Sequence, residues 1–296
     1  IVCSKYGSTD DLQFKEVPRP VPKVNELLIK VHATAVNDYD WSIVRGKPYL
    51  YRLLFGVAKP RKAIPGMELA GIVVETGSAV TAFKEADEVY GDISNYAFGT
   101  FAEYICINEK AVVPKPFNMS FEEAAAIPHA SMLAYQAMIE KGKIEPGQRI
   151  LINGAGGGVG TFGLQIAKTY NAKVTGVDTG TKLEMMTALG FDYVIDYKQQ
   201  DFTKSGEQYD LVIDAKTTRS PFAYLRSLKP TGKYVTVGGH LSRLLQMLLL
   251  KFWIGLFTKK QLHIVALKSN SNLDFIHELF TAGKIKPVID GPFKLE

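Results

Sequence analysis

The stretch Arg149-Ile150-Leu151-Ile152-Asn153-Gly154-Ala155-Gly156-Gly157-Gly158-Val159-Gly160 decides how this chain is read. An apolar run of strand type enters a glycine-rich turn, and a helix-forming segment follows from Val159 to Tyr170. A dinucleotide pyrophosphate needs backbone N–H donors at close range, and side chains obstruct that approach. Glycine removes the obstruction and permits the tight turn. The helix N-terminus adds a positive dipole end and N–H groups without intrahelical partners. An acid, Asp178, ends the next strand about 20 residues on, which is the spacing a ribose contact requires. Strand, turn, helix and acid together favour dinucleotide binding over a turn that serves packing alone. The triphosphate pattern Gly-x-x-x-x-Gly-Lys-Ser/Thr is absent.

The residues leave the choice between NAD and NADP open. Asp178 suits a ribose 2′-hydroxyl and repels a 2′-phosphate. Thr179 and Lys182 point the other way, because a hydroxyl and an ammonium suit a phosphate. Each also has a structural reading, as a helix cap or a solvated lysine.

Strand and helix patterns alternate around the turn. Lys173 to Asp178, Tyr193 to Asp196, Leu211 to Asp214 and Lys233 to Val237 read as strands. Lys182 to Leu189 and Tyr224 to Leu228 read as helices. Such alternation predicts a doubly wound parallel sheet of Rossmann type, an α/β fold. Upstream the texture differs. Glu26 to Ala35 and Met67 to Thr76 are strands, Asp87 to Gly91 is a short one, and Gly99 to Ile107 leads into another. This region reads as strand-rich with few helices. Ser120 with Glu123 forms a capping-box signature ahead of an alanine-rich helix, and a second helix is expected over Ser131 to Lys141.

At 296 residues, two domains are expected. The net charge of +5 is spread along the chain without a basic block, which gives nucleic-acid binding no support. Two cysteines, Cys3 and Cys106, cannot build a four-cysteine zinc lobe or a disulfide framework, so a reducing, cytoplasmic location is expected. Leu244 to Phe257 is the most apolar segment. It is shorter than the roughly 20 residues a bilayer crossing needs and carries Lys251, so no transmembrane span is expected. It reads as a buried or interfacial helix and loop in preference to a membrane-surface or oligomer contact. The start at Ile1 and the stop at Glu296 are those expected of a processed or trimmed chain.

Several segments together resemble the medium-chain dehydrogenase/reductase superfamily, most closely its zinc-independent quinone oxidoreductase branch. They are Ile64-Pro65-Gly66-Met67-Glu68-Leu69-Ala70-Gly71, Gly99-Thr100-Phe101-Ala102-Glu103-Tyr104, Ala124-Ala125-Ala126-Ile127-Pro128, the glycine turn, Val194-Ile195-Asp196-Tyr197, and Gly232 to Gly239. The resemblance covers nearly the whole chain in the family's order. It implies a GroES-like catalytic domain over residues 1–120, with a return segment at 271–296, and a Rossmann domain over 121–270. The family ends in a further helix and strand that this chain is expected to lack. Zinc-dependent members place a cysteine where Asn37 or Asp38 stands here, and a histidine at Met67. A thioether is a poor zinc ligand, so no metal site is expected.

The resemblance also implies reduction of a quinone or an α,β-unsaturated carbonyl by NADPH. It carries Gly157, Gly158 and Val159 to the pyrophosphate, and Thr179, Lys182 and Tyr197 to the adenosine 2′-phosphate. Val237 and Gly239 come beside the nicotinamide. Asp178 departs from an NADP pattern, which keeps NADH as the alternative. Asn37 falls near the nicotinamide and is a candidate donor to the substrate carbonyl, or else a turn or cap residue. Tyr49 and Tyr51 are candidate pocket residues, Tyr39 and Asp40 hold the same loop together, and His129 reads as a structural histidine before a catalyst. A zinc-free alcohol or carbonyl dehydrogenase and a silent NAD(P)H-binding regulator are the competing functions. A homodimer is the assembly the family implies.

Overall fold

The computed structural model describes residues 1–239 and 241–295. The chain divides into two compact units. One comprises Ile1–His129, Ser269–Leu273 and Ile289–Glu296, and the other Ala130–Lys268 and Asp274–Val288.

In the first unit a short antiparallel pair, β1 (Val2–Cys3) and β2 (Leu12–Gln13), precedes a five-stranded sheet. Its strands are β3 (Glu26–Ala33), β4 (Glu68–Thr76), β5 (Glu88–Asp92), β6 (Tyr104–Asn108) and β7 (Val113–Pro114). They pair antiparallel in the order β6-β3-β4-β5-β7. Leu27 and Ile29 of β3 join Leu69, Val73, Val89 and Ile107 in one buried cluster. Residues two apart on a strand share a face, which puts Leu27 and Ile29 on the same side. Loss of a buried side chain of this kind costs about 2–5 kcal/mol.

Two helices interrupt the expected strand-rich region, α1 (Asp38–Arg45) and α2 (Leu50–Phe55). Both escape a reading by periodicity because they are short, and because Leu50, Leu53 and Leu54 of α2 are exposed. The first is stopped by Gly46, whose φ of 58° is left-handed. Helix α3 (Phe121–Ala126) starts where the capping box places it. Ser120 N–H donates to Glu123 Oε2 at 3.0 Å, and Glu123 N–H donates to Ser120 Oγ at 3.1 Å. It packs on the first unit's strands, and that unit runs on to His129. Helix α4 (Pro128–Tyr135) passes into a π-helical stretch, Gln136–Lys141.

The second unit is built on a six-stranded parallel sheet. Its strands are β8 (Arg149–Asn153), β9 (Lys173–Asp178), β10 (Tyr193–Asp196), β11 (Tyr209–Asp214), β12 (Leu228–Thr236) and β13 (Gln261–Ile264). The order is β10-β9-β8-β11-β12-β13. The chain winds outward in one direction from β8 to β10 and in the other from β11 to β13. The carboxyl ends of β8 and β11 therefore form the topological switch point, where open α/β sheets bind ligands. The helices are α5 (Gly158–Thr169), α6 (Leu183–Leu189), α7 (Pro221–Arg226), α8 (Leu241–Phe257) and α9 (Leu273–Thr281).

Helix α8 spans the segment read as a buried or interfacial helix and loop, and no loop interrupts it. It is one continuous helix whose buried residues are Met247 and Ile254, while Leu245, Leu248, Leu249, Phe252, Trp253 and Leu256 are exposed. Hydropathy reports how apolar a segment is and carries no information on what covers it.

Candidate active site and cofactor turn

The glycine turn lies at the end of β8. Gly154 has φ +86°, a left-handed conformation that only glycine adopts without strain. A Cβ on Gly160 would lie 2.4 Å from Ala155 O, so α5 packs directly on the turn's backbone. Gly157 is different. A Cβ there would meet only Gly154 O, at an ordinary 3.5 Å, so nothing among the described residues requires glycine at this position. Gly157 is also the N-cap of α5, with no side-chain cap, and Gly158 beside it is exposed. Space over a helix N-terminus without a side-chain cap fits the approach of an anionic pyrophosphate.

Asp178 is buried and already engaged. Gly156 N–H donates to its Oδ2 at 2.9 Å, and Thr179 N–H donates to its Oδ1 at 2.8 Å. Lys182 Nζ donates to Gly156 O at 3.2 Å and stands 3.9 Å from Asp178 Oδ1. The carboxylate thus ties the end of β9 to the turn, and the lysine offsets its charge. Thr179 Oγ1 pairs with Thr181 Oγ1 at 3.0 Å. Tyr197 is anchored by its N–H to Asp178 O at 3.1 Å while its ring stays exposed. Thr179, Lys182 and Tyr197 are therefore neighbours around Asp178, with Lys182 half-exposed.

Val237 and Gly239 lie just past β12, in the loop after Thr236. Asp214, fully buried, organises this strand end. It accepts from Asn153 Nδ2 at 2.8 Å, from the N–H of Thr217 at 2.8 Å and from the Tyr234 hydroxyl at 2.6 Å. Val237 N–H donates to Asp214 O at 3.1 Å. Gly239, at φ +124°, sits against Thr217, which a Cβ would strike. No motif in the sequence singles out Asp214 or Thr217.

The first unit holds a polar cluster around Glu68. Asn37, the N-cap of α1, donates from Nδ2 to Glu68 Oε2 at 2.6 Å. The N–H of His129 donates to Glu68 Oε1 at 2.6 Å. Asp40 accepts from the N–H of Asn37 at 2.9 Å and of Gly66 at 3.2 Å. His129 Nδ1 pairs with Asp92 Oδ2 at 2.8 Å. Asn270 spans the N–H and C=O of Asp92 at 2.9 and 3.0 Å. Asn37 is thus both a cap residue and a held amide. Glu68 stands in a motif quoted above, but its contacts are too distant in sequence to read from it. Tyr49 stands apart from the cluster's hydrogen bonds. It is 67% exposed, with the Arg52 guanidinium 5.1 Å from its ring centroid. Tyr39 packs edge-on to Tyr51 at 5.6 Å.

Burial dominates the cluster's titration. It pushes Glu68 up to about 7 against the His129 charge and the Asn37 and His129 donors. It pushes Asp40 up to about 6 against two backbone donors. Burial also opposes the charged forms of Asp92 and His129, but the bond and attraction between them prevail. Asp92 is held below the usual carboxylate range, and His129 is raised above its ordinary value.

A parallel sheet in this order, with a glycine turn at its switch point and a separate antiparallel domain in the same chain, is the build of a two-domain dehydrogenase or reductase. Comparison with known proteins narrows the class. Residues 23–117 match the alcohol dehydrogenase GroES-like domain family, and residues 189–296 match the zinc-binding dehydrogenase family. The 2-methylene-furan-3-one reductase of Solanum lycopersicum is 35% identical over 98% of this chain and 71% of its own length. The chloroplastic NADPH-dependent alkenal/one oxidoreductase of Arabidopsis thaliana is 32% identical over 99% of this chain and 72% of its own. The solved Escherichia coli quinone oxidoreductase complexed with NADPH superposes with a TM-score of 0.78 at 25% identity, covering 98% of this chain and 90% of that one. The chain belongs to the medium-chain dehydrogenase/reductase superfamily, in its quinone oxidoreductase branch.

The zinc named in one matched family does not fit the residues here. Among the described residues no group of three or more His, Cys, Asp or Glu is placed to hold a metal ion. Met67 is fully buried and offers a thioether, and Cys3 Sγ is bonded to Lys5 O at 3.2 Å.

Proposed function

We propose that this chain is an NADPH-dependent reductase of quinones and α,β-unsaturated carbonyls. The observation that carries the reading is the open backbone at Gly157, a glycine that no internal contact requires, at the switch point of the sheet. The acceptor class comes from relatives named for a furanone, an alkenal/one and a quinone.

Bound NADPH supplies a hydride. The protein's share is position and charge. Gly157, Gly158 and Val159 receive the pyrophosphate at the start of α5. Thr179, Lys182 and Tyr197 receive the 2′-phosphate, and Asp178 spends its two oxygens on backbone N–H groups. That commitment favours NADPH over NADH, because a ribose hydroxyl would compete for an acid already in use. Val237 and Gly239 form the backbone edge for the nicotinamide.

When a hydride adds to the β-carbon of an enone, the C=C electron pair moves toward the carbonyl and its oxygen gains negative charge. A donor held at that oxygen lowers the barrier. An amide carries two N–H groups. Glu68 holds one from Asn37 at 2.6 Å, and we assign the other to the substrate oxygen. Tyr49 is assigned to the pocket wall, where its exposed phenol or a water delivers the proton to the α-carbon. The unpaired thiols Cys3 and Cys106 suit a reducing compartment.

Steady-state assay with NADPH against quinones, enones and simple alcohols tests the reading. Turnover of the first two classes is expected. Turnover of alcohols alone would indicate a zinc-free dehydrogenase, and NADPH binding without any turnover would indicate a silent regulator.

A further inference from the structure

The buried carboxylate of Glu68 commits its two oxygens to two different kinds of donor. Oε1 accepts the backbone N–H of His129 at 2.6 Å, and Oε2 accepts the side-chain amide of Asn37 at 2.6 Å. His129 stands in the first turn of α4, where a helical N–H has no intrahelical partner. That group is fixed in place and can only donate. The Asn37 amide is different, because a turn about its last torsion exchanges its nitrogen for its oxygen. The two N–H bonds of an amide and the two lone pairs of its oxygen point in matching directions. The exchange therefore puts an acceptor where a donor stood. An ionised carboxylate only accepts, so it holds the nitrogen toward itself.

We propose that Glu68 is the positioning residue that keeps the second N–H of Asn37, and not its amide oxygen, aimed at the substrate oxygen. The inference rests on the reductase reading and on the part given there to Asn37. The His129 bond supplies the logic. It demands an acceptor at Oε1, so a proton added to Glu68 must sit on Oε2, the oxygen that faces Asn37. The amide then meets a donor, turns its own oxygen to it, and presents a lone pair where the substrate oxygen gains negative charge. Glu68→Gln makes that state permanent, since its amide oxygen takes the His129 N–H and its nitrogen faces Asn37. The ionised form of Glu68 is thus the active one, and burial raises its titration to about 7. The titratable groups around it are Asp40 of α1, Asp92 of β5 and the His129 ring, which is bonded to Asp92. On α3, which also packs against β4, Glu123 is bound to the Ser120 N–H and Glu122 is exposed.

Steady-state kinetics of the wild type, Glu68→Gln, Asn37→Ala and the double variant, with NADPH and an α,β-unsaturated ketone, test the proposal. In Glu68→Gln kcat should fall by about 100-fold, the loss typical of one oxyanion donor. KM for NADPH and the melting temperature at pH 6 should stay close to those of the wild type. On the Asn37→Ala background the same substitution should cost nothing more, because Glu68 acts through that amide. Wild-type kcat/KM should rise with pH through about 7 and then level off, and both single variants should lack that rise. A near wild-type kcat in Glu68→Gln, or an equal further loss on the Asn37→Ala background, would overturn the proposal and leave the reductase reading standing. A wild-type profile without the rise would overturn it even if the variants failed to fold. A wild type that binds NADPH and reduces no acceptor would overturn the reductase reading and this inference with it.

Discussion

The carboxylate of Asp178 accepts the backbone N–H of Gly156 at 2.9 Å, and this bond fastens the glycine turn to the end of β9. The acid stands where a ribose contact is expected, yet its oxygens serve the protein's own backbone. We propose that it acts on the cofactor through the shape of the turn. Asp178→Ala should leave the N–H groups of Gly156 and Thr179 without their partner and cost about 1–3 kcal/mol of stability. Affinities for NADPH and NADH should fall together. A variant that gained NADPH affinity and lost NADH affinity would show direct ribose recognition instead.

Discrimination at the 2′ position is assigned to Lys182, with Thr179 and Tyr197. Lys182 is half-exposed, so its contribution is screened. Lys182→Ala should weaken NADPH by about tenfold, or 1.4 kcal/mol, and change NADH little. Isothermal titration with both nucleotides checks this, and equal losses for the two would refute the assignment.

Gly157 and Gly160 should separate ligand space from packing space. At Gly160 an added methyl meets Ala155 backbone at 2.4 Å, so Gly160→Ala should cost about 1–3 kcal/mol of stability. At Gly157 the nearest atom is 3.5 Å away, so Gly157→Ala should melt close to the wild type yet bind NADPH poorly. Thermal melts with and without NADPH distinguish the two, since ligand that binds only the folded state raises the midpoint.

How much of this was legible in the sequence follows from distance along the chain. The β8–α5–β9 unit is local, and glycines, β-branched strands and the terminal Asp178 mark it within one short stretch. The capping box at Ser120 and Glu123 is equally local. The Glu68 cluster is not, because Asn37 lies 31 residues from Glu68 and His129 lies 61. Asp214 meets Asn153 across 61 residues, through adjacent parallel strands. Helices α1 and α2 are too short to display a period, and the apolar composition of α8 does not say which of its residues are covered.

The Glu68 cluster should make stability depend on pH near neutrality. Glu68 is raised from 4.5 to about 7 in the folded state, so the fold binds its proton more tightly than the unfolded chain does. Its contribution is complete below its ordinary value and is lost as pH rises through about 7. Asp40 has the same sign through about 6, and raised His129 adds to it. Lowered Asp92 has the opposite sign, with stability present above 3.8 and lost on acidification. Melting temperatures should therefore decline as pH rises from 4.5 to about 7, and Glu68→Gln should flatten that decline. Equal slopes in the two proteins would contradict the burial-driven shift.

Hydride transfer itself can be followed by isotope. NADPH carrying deuterium at the transferred position of its nicotinamide C4 is mixed with the chain and an α,β-unsaturated ketone, and the product is examined by NMR. Deuterium on the β-carbon, with a solvent-derived proton on the α-carbon, is the predicted result. A saturated product without deuterium, or NADPH bound at the glycine turn with no product formed, would contradict the account.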